Sequence, residues 1–102
     1  MAEIEVEIIR PVNPAGRSFI TNVYGAVAAR DREIIDKYKR EFTKIVQRLG
    51  FKIEETIGTG KLITGKIVLV VDENKKPLKA YSLEISVWNI EKTLKEKIEV
   101  AL

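Results

Sequence analysis

Acidic and apolar side chains alternate along residues 3–9, up to the apolar pair Ile8 and Ile9 at the end. The apolar positions are Ile4, Val6 and Ile8, and the acidic positions are Glu3, Glu5 and Glu7. A period of two is typical of a strand that buries one face. Turn-forming residues follow, namely Pro11, Asn13, Pro14 and Gly16. The pattern therefore predicts a first strand over residues 3–9.

Residues 18–29 fit two different elements. The helical pattern consists of Phe19, Val23 and Val27, and the strand pattern adds Thr21 and Gly25 to them. Glycine and β-branched residues are weak helix formers, and β-branched residues are common in strands. We therefore favour a strand, forming a hairpin with the first, over a helix.

The clearest pattern is an apolar stripe at helical spacing between residues 31 and 49. Its members are Ile34, Ile35, Tyr38, Phe42, Ile45, Val46 and Leu49. Asp31 is suited to the N-cap, and Gly50 is suited to the position that follows the last turn. The sequence predicts a helix over 31–49.

Further strands follow the central helix. Alternation over 51–57 predicts a short strand, and the glycines within 58–60 predict a turn. The stretch 62–71 is rich in β-branched residues and predicts a longer strand. The polar turn at 72–77 predicts that this strand forms a hairpin with a last strand over 78–87.

The last predicted strand has two faces and leads into a second helix. One face carries Tyr81, Leu83, Ile85 and Val87, with Tyr81 in the core, and the other carries Ser82, Glu84, Ser86 and Trp88. The helix that follows Asn89 has its apolar positions at Ile90, Leu94, Ile98 and Ala101.

The predicted fold class is α+β, with a single domain over residues 1–102. It consists of a mainly antiparallel sheet of four or five strands with two helices on one face, in the order β(β)αβββα. The αβββα part resembles double-stranded-RNA-binding domains in topology alone.

The chain contains no histidine and no cysteine among its 102 residues. These side chains supply most transition-metal ligands, thiol nucleophiles and general bases at neutral pH. We therefore expect a non-enzymatic protein with no metal and no cofactor. The sequence has neither a signal-peptide pattern nor an apolar run near the roughly 20 residues of a membrane span. A cytoplasmic location without a membrane partner is expected.

Two patterns are similar to catalytic motifs but lack a required group. Residues 60–66 match the first seven positions of a P-loop, yet Ile67 stands where serine or threonine is needed, and a strand pattern follows. Ser82, Glu84 and Ser86 share a predicted face, but no base is present to activate either serine. Neither pattern predicts a reaction.

Positive charge is concentrated in the middle of the chain. The net charge is +3, whereas residues 10–66 hold twelve basic residues against six acidic ones. Four cations of the predicted helix form a ribbon away from the apolar stripe, which can follow a phosphate backbone. Three arginines precede that helix. The predicted nucleic-acid-binding residues are Arg10, Arg17, Arg30, Lys37, Arg40, Lys44 and Arg48.

Other interpretations of the same residues remain open. Glu33 with Lys37 and Asp36 with Arg40 have the i,i+4 spacing of ion pairs, and the Lys- and Glu-rich composition is typical of hyperthermophile proteins. The charges would then serve solubility and heat stability. Trp88 either caps the sheet edge or stacks on a base. The leading predicted function is RNA or DNA binding, and the alternative is a homo-oligomer, such as a homodimer, or an adaptor for another protein.

Overall fold

A computed structural model describes residues 1–102, which form three strands and two helices. The elements are β1 (Ala2–Val12), α1 (Arg17–Arg30), α2 (Arg32–Ile57), β2 (Leu62–Val71) and β3 (Pro77–Trp88). The class is α+β, but the order is βααββ and the sheet has three strands. The predicted order β(β)αβββα with four or five strands is therefore wrong, and the resemblance to double-stranded-RNA-binding domains does not hold.

The three strands form one antiparallel sheet with β2 in the centre. β1 pairs with β2 although both helices separate them in the sequence, in a register that sets Val6 opposite Ile67. α1 contacts β1, and α2 contacts both α1 and β3. The helices thus cover one face of the sheet, and β1 and β3 remain as its two edges.

A single apolar core lies between the helices and the covered face of the sheet. Ile4, Val6 and Ile8 of β1 are buried there, as their alternation predicts. The other face, which we name the open face, carries the acidic residues of β1. Val68 and Val70 of β2 also lie on the open face, and they are only 3% and 2% exposed because both neighbouring strands flank them.

α1 replaces the strand predicted over 18–29, which is wrong. Phe19, Val23 and Val27 are all but fully buried in the core, in the helical spacing that the sequence left as the alternative. Gly25 lies on the exposed side, and its weak propensity costs a helix about 1 kcal/mol. Burial of each large apolar side chain contributes about 1.5–3 kcal/mol, so tertiary packing outweighs the propensity.

α2 begins at the predicted N-cap and is kinked near its start. The side chain of Asp31 accepts a hydrogen bond of 3.2 Å from the backbone N–H of Glu33. Tyr38 has φ −131° and ψ 39°, outside the helical region. Lys37 therefore lies before the kink, and the other cations of the predicted ribbon lie after it on a separate stretch of helix.

Gly50 is buried inside α2, so the predicted helix end there and the predicted strand over 51–57 are both wrong. A Cβ atom at Gly50 would overlap the carbonyl oxygen of Pro14 and lie 3.0 Å from Cδ2 of Phe19. The glycine thus permits close packing of the β1–α1 loop on the helix. α2 ends instead at Gly58, whose φ of 95° is readily adopted only by glycine.

β2 and β3 form the predicted hairpin, but a bulge changes which way the side chains of β3 face. Leu83 is an extra residue between Ser82 and Glu84. Tyr81 is consequently opposite Val68 on the open face, and the predicted core position of Tyr81 is wrong. Simple alternation cannot reveal this shift, because one inserted residue exchanges the two faces.

The helix predicted after Asn89 is absent, and residues 89–102 have no regular secondary structure. Every residue of this segment is exposed. A helix of this length is marginal in water without a packing surface, and no part of the body provides one to the segment here. The two helices of the fold are therefore α1 and α2.

Candidate nucleic-acid interface

The seven predicted binding residues are all exposed but lie on three different elements. Arg10 is on β1, Arg17 and Arg30 begin and end α1, and Lys37, Arg40, Lys44 and Arg48 are on α2. A helix rises about 1.5 Å per residue, which places the ends of α1 about 20 Å apart. The structure therefore does not bring all seven together.

Lys37 belongs to an ion-pair cluster at the start of α2. Its Nζ lies 2.8 Å from Oε1 of Glu33, and Nζ of Lys75 lies 2.7 Å from Oε2 of Glu33 and 2.9 Å from Oδ2 of Asp31. Hydrogen bonds from Lys37 and Lys75 lower the pKa of Glu33 to about 2. The same carboxylate raises the pKa of Lys37. The charge of Lys37 is thus balanced locally.

Arg40, Lys44 and Arg48 make no ion pair. The expected pair of Asp36 with Arg40 does not form, because the kink between them breaks the i,i+4 geometry, and Asp36 pairs with Arg32 at 3.7 Å. The three cations recur every four residues, about 6 Å apart along the axis. They lie opposite the buried stripe of α2, and we name them the basic ridge.

Phe51 lies on the same outer side of α2 as the basic ridge. It follows Arg48 by three residues and Lys44 by seven, spacings that share one helical face. Its side chain is 50% exposed. Phe51 is not among the predicted binding residues, because the alternation over 51–57 predicts a strand there. Extending the helical period past Gly50 would have found it.

The arginines outside α2 lie apart from the ridge. Nη1 of Arg30 donates a 2.8 Å hydrogen bond to the backbone carbonyl oxygen of Glu5. This bond ties the end of α1 to the edge strand β1, which is a structural role. Arg10 and Arg17 make no ion pair, and they lie on β1 and at the start of α1.

The two aromatic residues of β3 are held by neighbouring strands. The hydroxyl of Tyr81 donates a 3.2 Å hydrogen bond to Oε1 of Glu3 across the open face. Partial burial and this hydrogen bond raise the pKa of Tyr81. Nε1 of Trp88 donates a 2.9 Å hydrogen bond to Oγ1 of Thr64, which favours the structural role of Trp88 over base stacking.

The other candidate motifs do not assemble into sites. Residues 60–66 run from a turn into β2, so no helix N-terminus follows the P-loop-like pattern. The β3 bulge places Ser82 on the face opposite to Glu84 and Ser86, so the predicted shared face is wrong. No group of three or more acidic side chains is arranged to hold a metal ion. The surface left for functional interpretation is the basic ridge with Phe51.

Comparisons with known protein families, curated proteins and solved structures found no match for this chain. No helix of the structure combines the length and apolar character needed to cross a membrane.

Proposed function

We propose that the protein is a non-enzymatic module that binds the phosphate backbone of RNA or DNA through the outer face of α2. The observation that carries this proposal is the basic ridge, in which Arg40, Lys44 and Arg48 are exposed and have no carboxylate partner. Cations that meet phosphates release condensed counterions, which is the main source of affinity that does not depend on sequence. A cytoplasmic location is part of the proposal.

Phe51 favours a single-stranded ligand. An exposed aromatic ring can stack on an unpaired base while Lys44 and Arg48 contact the flanking phosphates. Bases in a duplex are already stacked on one another, so a duplex would use the basic ridge without Phe51. Single-stranded RNA or DNA therefore makes the fullest use of this surface.

The test is a salt series with a labelled single-stranded oligonucleotide. For the wild-type protein, the logarithm of the affinity should fall linearly with the logarithm of salt concentration, with a slope of about 0.7 per phosphate contact. The Lys44→Glu/Arg48→Glu variant should lose binding, because two attractions become repulsions. Its circular dichroism spectrum should be unchanged, since both side chains point away from the core.

Two further variants sharpen the test. Lys76→Glu/Lys92→Glu makes the same change in net charge away from α2, and it should retain most of the affinity. Phe51→Ala should weaken binding by roughly 1–3 kcal/mol with an unaltered salt slope. Equal losses of affinity in both charge variants, or a wild-type protein that does not bind nucleic acid at low salt, would contradict the proposal.

The alternative function is association with a second copy of the chain. The observation that favours it is the exposed apolar segment that follows β3.

A further inference from the structure

Residues 89–102, which we name the arm, carry an apolar stripe that the rest of the molecule does not cover. Ile90, Leu94 and Ile98 are 74%, 55% and 79% exposed. Their spacing of four residues would align them on one side of a helix. The lysines and glutamates between them are good helix formers. The arm thus has the sequence of an amphipathic helix but lacks a surface to pack on.

A second uncovered apolar feature lies between α2 and β3. This α2–β3 groove is lined by Ile45, Leu49 and Ile57 of α2 and by Leu78, Leu83 and Ile85 of β3. It consists of two hollows of about 290 and 310 Å³ that share Leu49 and Lys52 as lining residues, and Arg48 of the basic ridge lines the second hollow. Leu78 and Leu83 are 46% and 53% exposed, and each is an extra residue at a register shift of the edge strand β3, with no partner in β2.

The arm and the groove match in length. α2 rises about 18 Å from Ile45 to Ile57, and an arm helix would rise about 17 Å from Ile90 to Ala101. A helix formed by the arm could therefore place its whole stripe along the groove. It would then cover the exposed leucines of β3.

The geometry of the connection points to the groove of another molecule. Trp88 ends β3, and only Asn89 separates it from Ile90, the first residue of the stripe. A helix returning along its own β3 would need to reverse within one residue, whereas connections of about two to six residues are usual. The arm makes no such return, since all its residues are exposed and the radius of gyration of the whole chain is 16.1 Å, against about 13 Å for a compact chain of this length.

We propose that the arm of one copy docks as a helix in the α2–β3 groove of a second copy. The arm of the second copy docks in the groove of the first in the same way, so the two chains form a twofold dimer with exchanged arms. Each arm covers the partner's edge strand, and each stripe is removed from water. The proposal does not depend on nucleic-acid binding.

The first test is the mass of the full chain by light scattering across a concentration series. The mass should rise from 11.6 kDa towards twice that value, with a parallel gain of helical circular dichroism. Leu94→Ala/Ile98→Ala should raise the dimer dissociation constant by roughly 100-fold or more, because both arms lose two buried side chains. The matched control Lys92→Ala/Glu96→Ala changes the opposite side of the helix and should still dimerise. The core contains no arm residue, so neither variant should unfold the body.

The second test uses the absence of native cysteine. A Leu83→Cys variant is mixed in turn with Ile90→Cys, Leu94→Cys and Ile98→Cys variants and then oxidised. At least one mixture should yield a disulfide-linked heterodimer between the groove of one variant and the arm of the other.

Three outcomes would overturn the exchange. The first is a monomer at all concentrations. The second is a dimer that is unaffected by Leu94→Ala/Ile98→Ala, which would place the interface elsewhere. The third is a double variant, such as Leu83→Cys/Leu94→Cys, that closes its disulfide within one chain, which would mean that the arm occupies its own groove.

Discussion

The same substitution at two helical glycines should change stability in opposite directions. No atom lies within 4 Å of the place where a Cβ would stand at Gly25 in α1. Gly25→Ala should therefore stabilise the protein by about 0.5–1 kcal/mol, because alanine restricts the unfolded chain and favours the helix. At Gly50 in α2, the new methyl group would overlap the carbonyl oxygen of Pro14 and lie 3.0 Å from Cδ2 of Phe19.

The magnitude at Gly50 follows from which atoms must move. Pro14 is buried, and its carbonyl belongs to the backbone, so the β1–α1 loop must shift as a unit. Overpacking of this kind costs about 1–3 kcal/mol, against about 1 kcal/mol regained from helix propensity. Because the clash is with backbone, we expect the upper end of that range and a net loss of about 2 kcal/mol for Gly50→Ala.

Urea unfolding followed by circular dichroism measures both effects. The urea concentration at the midpoint of unfolding should rise for Gly25→Ala and fall for Gly50→Ala. The dependence of the unfolding free energy on urea concentration should be similar for both variants. In a two-state domain near this size, 1 kcal/mol corresponds to about 4–8 °C in Tm, so heating should give the same order. A neutral or stabilised Gly50→Ala variant would refute the close packing of α2 on the loop.

Two further predictions concern α2. Phe42 is 0% exposed and its ring meets that of Tyr24 edge-on, with centroids 6.1 Å apart, so Phe42→Ala should cost roughly 3–5 kcal/mol in urea unfolding. Lys44→Ala should stay within about 0.5 kcal/mol, and equal costs would contradict the orientation of the helix. Glu33→Gln should lower Tm at neutral pH, because the wild-type carboxylate has a pKa of about 2 when folded. The difference in Tm between the two proteins should be largest above pH 4.5, the ordinary pKa of the carboxyl group, and should vanish towards pH 2. A difference in Tm that does not depend on pH would exclude the ion pairs as its cause.

Part of the candidate site was predictable from the sequence, because it depends on local periodicity. Arg40, Lys44 and Arg48 share a helical face at four-residue spacing, and the structure keeps them together. The lack of a partner for Arg40 was not predictable, since the expected pair with Asp36 is prevented by a kink at Tyr38 that no breaker residue marks. Phe51 joined the surface only because α2 continues past Gly50.

The fold likewise has features that local sequence patterns determine and features that only tertiary packing determines. Elements defined by local signals were predicted correctly, including the alternating part of β1, the start of α2 and the β2–β3 hairpin, although β1 continues through Pro11 to Val12. Gly25 and Gly50 carry the same local signal of a weak helix former, yet both lie inside helices. Only tertiary packing decided this, because burial of α1 and the contact of the β1–α1 loop with α2 outweigh about 1 kcal/mol of propensity. The arm shows the opposite case, because its sequence has a complete helical pattern but forms no helix. A short amphipathic helix requires a surface on which to bury its apolar stripe, and the arm's own body does not provide that surface.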